Sequence, residues 1–193
     1  MTAAKARGSL SSKRRGGGIG DLLAIISRLE LGAADRRRIE TIRRRGDPMH
    51  PYVAAHFTYV FPFDGPGLDE VRAHAAGVAG ATAAIPFRLV AARAVPDATA
   101  PRSHVFLVPG EGGDKLHRLH DRLYTGPLAA TLRRDIPYIP HVTVGAFPEH
   151  AEAERAAAAI GPADIAGTVS ALELTTFDGR DVTIIARFRL SLE

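Results

Sequence analysis

The feature that most constrains this chain is an order of elements that can be read twice. From Val53 onward the apolar pattern predicts a strand over Ala55 to Phe61, closed by Pro62. A helix follows at about Leu68 to Ala79, with Leu68, Val71 and Ala75 at helical spacing. Two alternating segments come next, Phe87 to Ala92 and His104 to Val108, separated by the turn-rich Pro96 to Pro101 and ended by Pro109-Gly110. After an intervening helix near Asp114 to Tyr124 the same order returns. It consists of a strand His141 to Phe147 closed by Pro148, an Ala-rich helix Ala151 to Ile160 stopped by Gly161-Pro162, and two strands, Val169 to Thr176 and Val182 to Leu190, joined by an Asp178-Gly179 hairpin turn. A unit present only twice is not a solenoid, which needs at least ~3 repeats. It predicts an α+β, bilobal domain with an internal pseudo-two-fold, a His56 lobe and a His141 lobe, in which antiparallel sheets line a central cleft and helices lie outside.

Upstream of the repeat, Leu22 to Ile26 is a continuous apolar run whose length favours a buried strand. Asp35 to Arg45 reads as a helix, with Ile39 and Ile42 on an otherwise charged stretch that Gly46-Asp47-Pro48 stops. Residues 1–18, rich in Gly, Ser and Arg, predict a disordered basic leader or an artificial extension, and residues 19–193 a single domain. A hydrophobic content of 46% suffices for its core. The charge is uneven: residues 1–50 hold 12 Lys/Arg against 5 Asp/Glu, while residues 51–193 hold 13 against 16. The clusters Lys13 to Arg15, Arg36 to Arg38 and Arg43 to Arg45 can follow a phosphate backbone, as an RNA-binding module would, or form a solvated helix face. The stacking aromatics of a single-strand binder are missing there, since Trp is absent and no Phe or Tyr falls in residues 1–50. Cysteine is absent, which excludes a thiolate nucleophile and points to a reducing compartment. No run approaches the ~18 apolar residues of a membrane span and no apolar signal segment opens the chain, so a cytoplasmic monomer is expected.

Each half of the repeat opens with His-x-Thr: His56-Phe57-Thr58 and His141-Val142-Thr143. Strand side chains alternate, so His and Thr share one face about 6–7 Å apart while Phe57, Tyr59, Val142 and Val144 point into the core. Of the 8 histidines only these two carry the pattern, and they occupy equivalent places. Two imidazoles and two hydroxyls facing each other across a cleft suit phosphate-ester chemistry. A neutral ring takes a proton from the attacking group, a protonated ring gives one to the leaving oxygen, and the hydroxyls donate to the non-bridging oxygens. Bell-shaped pH dependence follows from such a pair. The scheme requires no metal and no cofactor, and the nearest carboxylate to either motif is six residues away. His117 and His120 stand at helical i, i+3 spacing, where a metal is conceivable, but solvent exposure on a charged helix is the expectation.

Three stretches carry a family resemblance: Ile42-Arg43-Arg44-Arg45-Gly46-Asp47-Pro48, Ala55-His56-Phe57-Thr58-Tyr59-Val60-Phe61-Pro62-Phe63, and Pro137-Tyr138-Ile139-Pro140-His141-Val142-Thr143-Val144-Gly145. With them the chain, from about Leu22 to its C-terminus, resembles the 2H phosphoesterase superfamily, in particular its 2′,5′-RNA-ligase-like branch. The resemblance implies a bilobal fold, a catalytic pair His56 and His141, and phosphate binding by Thr58 and Thr143. It implies His141 as the base that activates water and His56 as the acid. Family members open 2′,3′-cyclic phosphates, hydrolyse cyclic ADP-ribose phosphates, or cleave and form 2′,5′ bonds, so a nucleotide or RNA end is the expected partner. Two positions depart from the pattern: Ala55 stands where a proline usually precedes the first histidine, and Ala146 follows Val144-Gly145 where some ligase-type members carry an arginine.

Overall fold

The computed structural model describes residues 22–191; the expected leader at residues 1–18 lies outside them. Two antiparallel sheets form the scaffold. The first has the order β3-β1-β8-β9, from His56–Phe63, Leu22–Arg28, Ala171–Phe177 and Val182–Arg189. The second has the order β2-β7-β4-β5-β6, from Glu30–Leu31, Pro162–Val169, Ile85–Pro96, Ser103–Pro109 and Val142–Phe147. Among the described residues four α-helices pack around them: α1 (Ala33–Gly46), α2 (Leu68–Gly80), α3 (Gly113–Leu123) and α4 (His150–Ile160). The α+β class and the two antiparallel sheets agree with the sequence reading. Among the described residues no helix is long and apolar enough to cross a membrane.

The repeat is present in the order of elements but not in how the strands divide. The pair that follows the first His-x-Thr strand, β4 and β5, joins the sheet of the second motif, and β8 and β9, which follow the second, join the sheet of the first. The helices cross in the same way: α2 covers β8 and β9, and α4 covers β4 and β5. Each sheet therefore contains strands from both halves of the chain, and neither half closes a sheet alone. One continuous core results. It joins Ile25, Phe57, Tyr59 and Leu174 of the first sheet to Phe87, Leu107, Val142 and Ile165 of the second. Phe57 meets Phe87 edge to face at 5.1 Å across the two sheets, a geometry that suits the ring quadrupoles.

Several elements run past their predicted limits. β3 continues through Pro62 to Phe63, which an edge strand tolerates because the missing N–H faces away from the ladder. β4 spans Ile85–Pro96, beyond the expected Phe87 to Ala92. β7 has no counterpart in the sequence reading: Pro-Ala-Asp-Ile-Ala-Gly-Thr-Val is small and polar for a strand, yet it lies between β2 and β4. Gly167 shows why small residues sit there, since a Cβ would fall 2.6 Å from Leu31, 2.7 Å from Phe87 and 2.8 Å from the Glu30 carbonyl. The Asp178-Gly179 turn forms as expected, Asp178 Oδ1 accepting from the amides of Arg180 and Asp181.

Candidate active site

β3 and β6 each lie at the edge of a sheet, and the two edges adjoin. The pleat acts on both as predicted: Phe57, Tyr59, Val142 and Val144 are buried, whereas His56, Thr58, His141 and Thr143 are only partly so. The two histidines are held in the same way. His56 Nδ1 bonds the carbonyl of Ala54 at 2.9 Å and His141 Nδ1 bonds the carbonyl of Ile139 at 2.6 Å, in each case two residues upstream. A carbonyl only accepts, so Nδ1 carries the hydrogen and the neutral ring keeps its lone pair on Nε2. Among the described residues neither Nε2 has a protein partner. Both imidazoles are held below the usual range. For His56 burial is the main cause, with Arg43 adding to it, and the Ala54 carbonyl, Asp47 and Glu173 opposing. For His141 burial dominates, the Ile139 carbonyl opposes, and repulsion from His56 and His104 adds, lowering it to about 4.

The surroundings were less legible. In the β1–β3 ladder Arg28 is the partner of His56, and its Nε and Nη2 hold buried Glu173 with contacts of 2.8 Å. Arg187 approaches the same carboxylate at 3.6 Å. These charges border a cleft of about 710 Å³ that also takes in Tyr52, Ala54 and Ala55, directly before His56. The loop there is pinned by Arg43, whose Nε bonds Asp47 at 2.7 Å and whose Nη2 bonds the Val53 carbonyl at 2.8 Å. Arg43 is 1% exposed, so the third basic cluster is not a uniformly solvated face. Its i, i+4 spacing to Asp47 was the available signal. On the other side His141 and Thr143 open onto a cleft of about 430 Å³ walled by Phe61, Phe106, Ile136, Pro137 and Ile139.

The expectation of a solvent-exposed His117 and His120 holds for the first and fails for the second. His120 is 5% exposed, its Nδ1 bonds the Tyr59 carbonyl at 2.7 Å, and its ring stacks on Tyr138 at 3.6 Å. The apolar stripe Leu116, Leu119, Leu123 turns position 120 inward, and the free β3 carbonyl supplies its partner. Through Tyr138 it steadies the loop that leads to His141. Among the described residues no group of three or more His, Cys, Asp or Glu is placed to hold a metal ion.

Residues 31–181 match the family model of the 2′-5′ RNA ligase superfamily. A curated relative from Geobacillus sp. (strain WCH70), named as a phosphoesterase, is 29% identical over 105 residues, which are 53% of this chain and 57% of the relative, so the chain matches little more than half of that protein's length. Among solved structures, Escherichia coli LigT complexed with 3′-AMP superposes with a TM-score of 0.55 at 20% identity, covering 89% of this chain and 98% of LigT. Kluyveromyces marxianus Usb1 gives 0.59 at 10% identity, covering 88% and 98%. These structures share the fold, and the family match spans most of the chain including both His-x-Thr strands: the chain belongs to the 2′-5′ RNA ligase superfamily.

Proposed function

We propose that this protein is a metal-independent phosphoesterase that hydrolyses a cyclic phosphate, either a 2′,3′-cyclic nucleotide or RNA end or a cyclic phosphate of ADP-ribose, or a 2′,5′-phosphodiester. His56 and His141 are its acid–base pair, and Thr58 and Thr143 bind the phosphate. One observation carries the reading: on two adjoining edge strands both rings are tied by Nδ1 to the carbonyl two residues upstream, which frees both Nε2 atoms for a ligand. The family and the nucleotide in the LigT complex support a nucleotide substrate.

In the proposed reaction on a cyclic phosphate, His141 Nε2 takes the proton of a water whose oxygen bonds to phosphorus. The bond from phosphorus to one ribose oxygen breaks, and His56 gives that oxygen its proton. The charges favour this division. Asp47 and Glu173 promote the imidazolium at His56 against the opposing charge of Arg43, whereas no carboxylate offsets the opposing His56 and His104 at His141. An anionic phosphate raises the proton affinity of a ring beside it, so substrate itself brings His56 toward its acid form. Turnover of 2′,3′-cyclic nucleotides, cyclic ADP-ribose phosphate and 2′,5′-linked dinucleotides, with and without EDTA, tests the reading. Hydrolysis of at least one class at an unchanged rate in EDTA is expected; no hydrolysis of any, or loss in EDTA, overturns it.

A further inference from the structure

Phe106 of β5 stands opposite Thr143 in the β5–β6 register, on the face that carries Thr143 and, directly before β6, His141. Its ring lies 3.5 Å from the His141 ring, centroid to centroid, at an interplanar angle of 16°. On β5, two residues before it, His104 lies 5.8 Å from Phe106 at 14°, so three rings form a nearly parallel series. The far end is fixed. His104 Nε2 bonds Asp97 Oδ2 at 3.0 Å, and Asp97 is itself held by the amide and hydroxyl of Thr99 and by Arg102 Nε. Among the described residues nothing comparable stacks on His56, whose neighbours include Arg28 and the Ala54 carbonyl.

We propose that Phe106 is a positioning residue for His141: its ring face sets the plane of the imidazole and stabilises the imidazolium that forms when His141 takes a proton. An aromatic face attracts a cation within about 6 Å, and more strongly where water is excluded. The other charged or titratable groups around His141 are His56 from β3, His104 from β5, Asp97 and Arg102 from the β4–β5 turn, and Arg93, the β4 partner of Phe106. His56 and His104 oppose a charge on His141, Asp97 is engaged by His104 and Arg102, and the Ile139 carbonyl favours the charge at the Nδ1 edge, so the Phe106 face adds a second favourable contact on the plane of the ring. A weak base thus gains help only as it becomes charged, the condition for accelerating a step rather than for binding alone. The catalytic meaning rests on the two-histidine reading above, whereas the ring contact and its effect on titration do not.

The test is a histidine NMR titration of the full chain as wild type, Phe106→Leu and Phe106→Tyr. Leu keeps apolar bulk without a π face, and Tyr keeps the face. In Phe106→Leu the His141 midpoint should fall by about 0.5–1.5 pH units, and its single Nδ1–H tautomer at pH 7 should become mixed, while His56 stays where it was. Phe106→Tyr should restore both values. With a cyclic nucleotide, Phe106→Leu should lower kcat about 3–10-fold and leave KM within about twofold. A His141 midpoint that is unchanged or raised in Phe106→Leu overturns the proposal, because the contact is then only burial. A wild type without turnover overturns the reaction proposed above, and the titration still decides the role of Phe106.

Discussion

His56 and His141 share a motif, a strand edge and a carbonyl tether, yet they sit in different media. Around His56 the chain gathers ions: Arg28 and Arg187 on Glu173, and Arg43 on Asp47. Around His141 it gathers rings and apolar side chains: Phe106 against the imidazole, Pro137 and Ile139 in the wall, and Tyr138 stacked on His120, with the His104–Asp97–Arg102 group set beyond the Phe106 ring. The loops that deliver the two histidines differ in the same sense. One is held by a buried guanidinium reaching Val53, the other by prolines and aromatic packing. The difference teaches that the pseudo-symmetry fixes where the two rings stand, and that the neighbours decide which of them more readily carries charge.

That contrast can be broken most directly at the rings. His56→Ala and His141→Ala should each cost about 10²–10⁴-fold in turnover, since a general acid or base contributes that much. Appreciable activity left in either variant removes the pairing on which the comparison stands. At the supports, Arg43→Met leaves the Asp47 carboxylate buried without its partner and should cost about 3–5 kcal/mol in urea denaturation. A loss below about 1 kcal/mol would mean that the His56 loop does not depend on this ion pair. At the phosphate, Thr58→Ala and Thr143→Ala should lower turnover on the order of 10–10³-fold, less than the histidine variants. The two threonines occupy matching places, so losses differing by more than about tenfold would show that the asymmetry extends from the rings to phosphate binding.

The sequence made the shared part of the site legible and hid the part that differs. His-x-Thr is local, and a period of two is enough to put His56 and Thr58, or His141 and Thr143, on one face. The element order was legible for the same reason, apart from β7, where Gly167 serves the close approach of β2 and β4 rather than strand propensity. The neighbours depend on pairings between distant positions. Arg28 meets Glu173 across 145 residues of chain, and Phe106 reaches His141 only because β5 joins β6. The crossing of strand pairs between sheets is equally silent in a linear repeat, because the same order of elements serves either partition. His120 was misread because its charged neighbours dominate the local pattern, while its hydrogen-bond partner lies 61 residues away on β3.

The smallest expected effect concerns stability rather than rate, and it separates the two rings without any substrate. His141 titrates at about 4 in the folded chain and near 6.5 when unfolded. As pH falls through 6.5 the unfolded chain therefore takes up a proton that the folded chain refuses, and stability declines until about pH 4, below which both states are charged. Between pH 7 and 5 this linkage amounts to at most about 2 kcal/mol, reduced by whatever solvent reaches the partly exposed ring. His56 is lowered by burial and by Arg43, but Asp47 and Glu173 oppose the shift as no carboxylate does at His141, so its contribution should be smaller. Urea denaturation of the wild type, His56→Gln and His141→Gln at pH 7 and pH 5 measures both. The stability lost between the two pH values should shrink more in His141→Gln than in His56→Gln. Equal slopes in the two variants would mean that the ionic and the aromatic surroundings perturb their histidines alike.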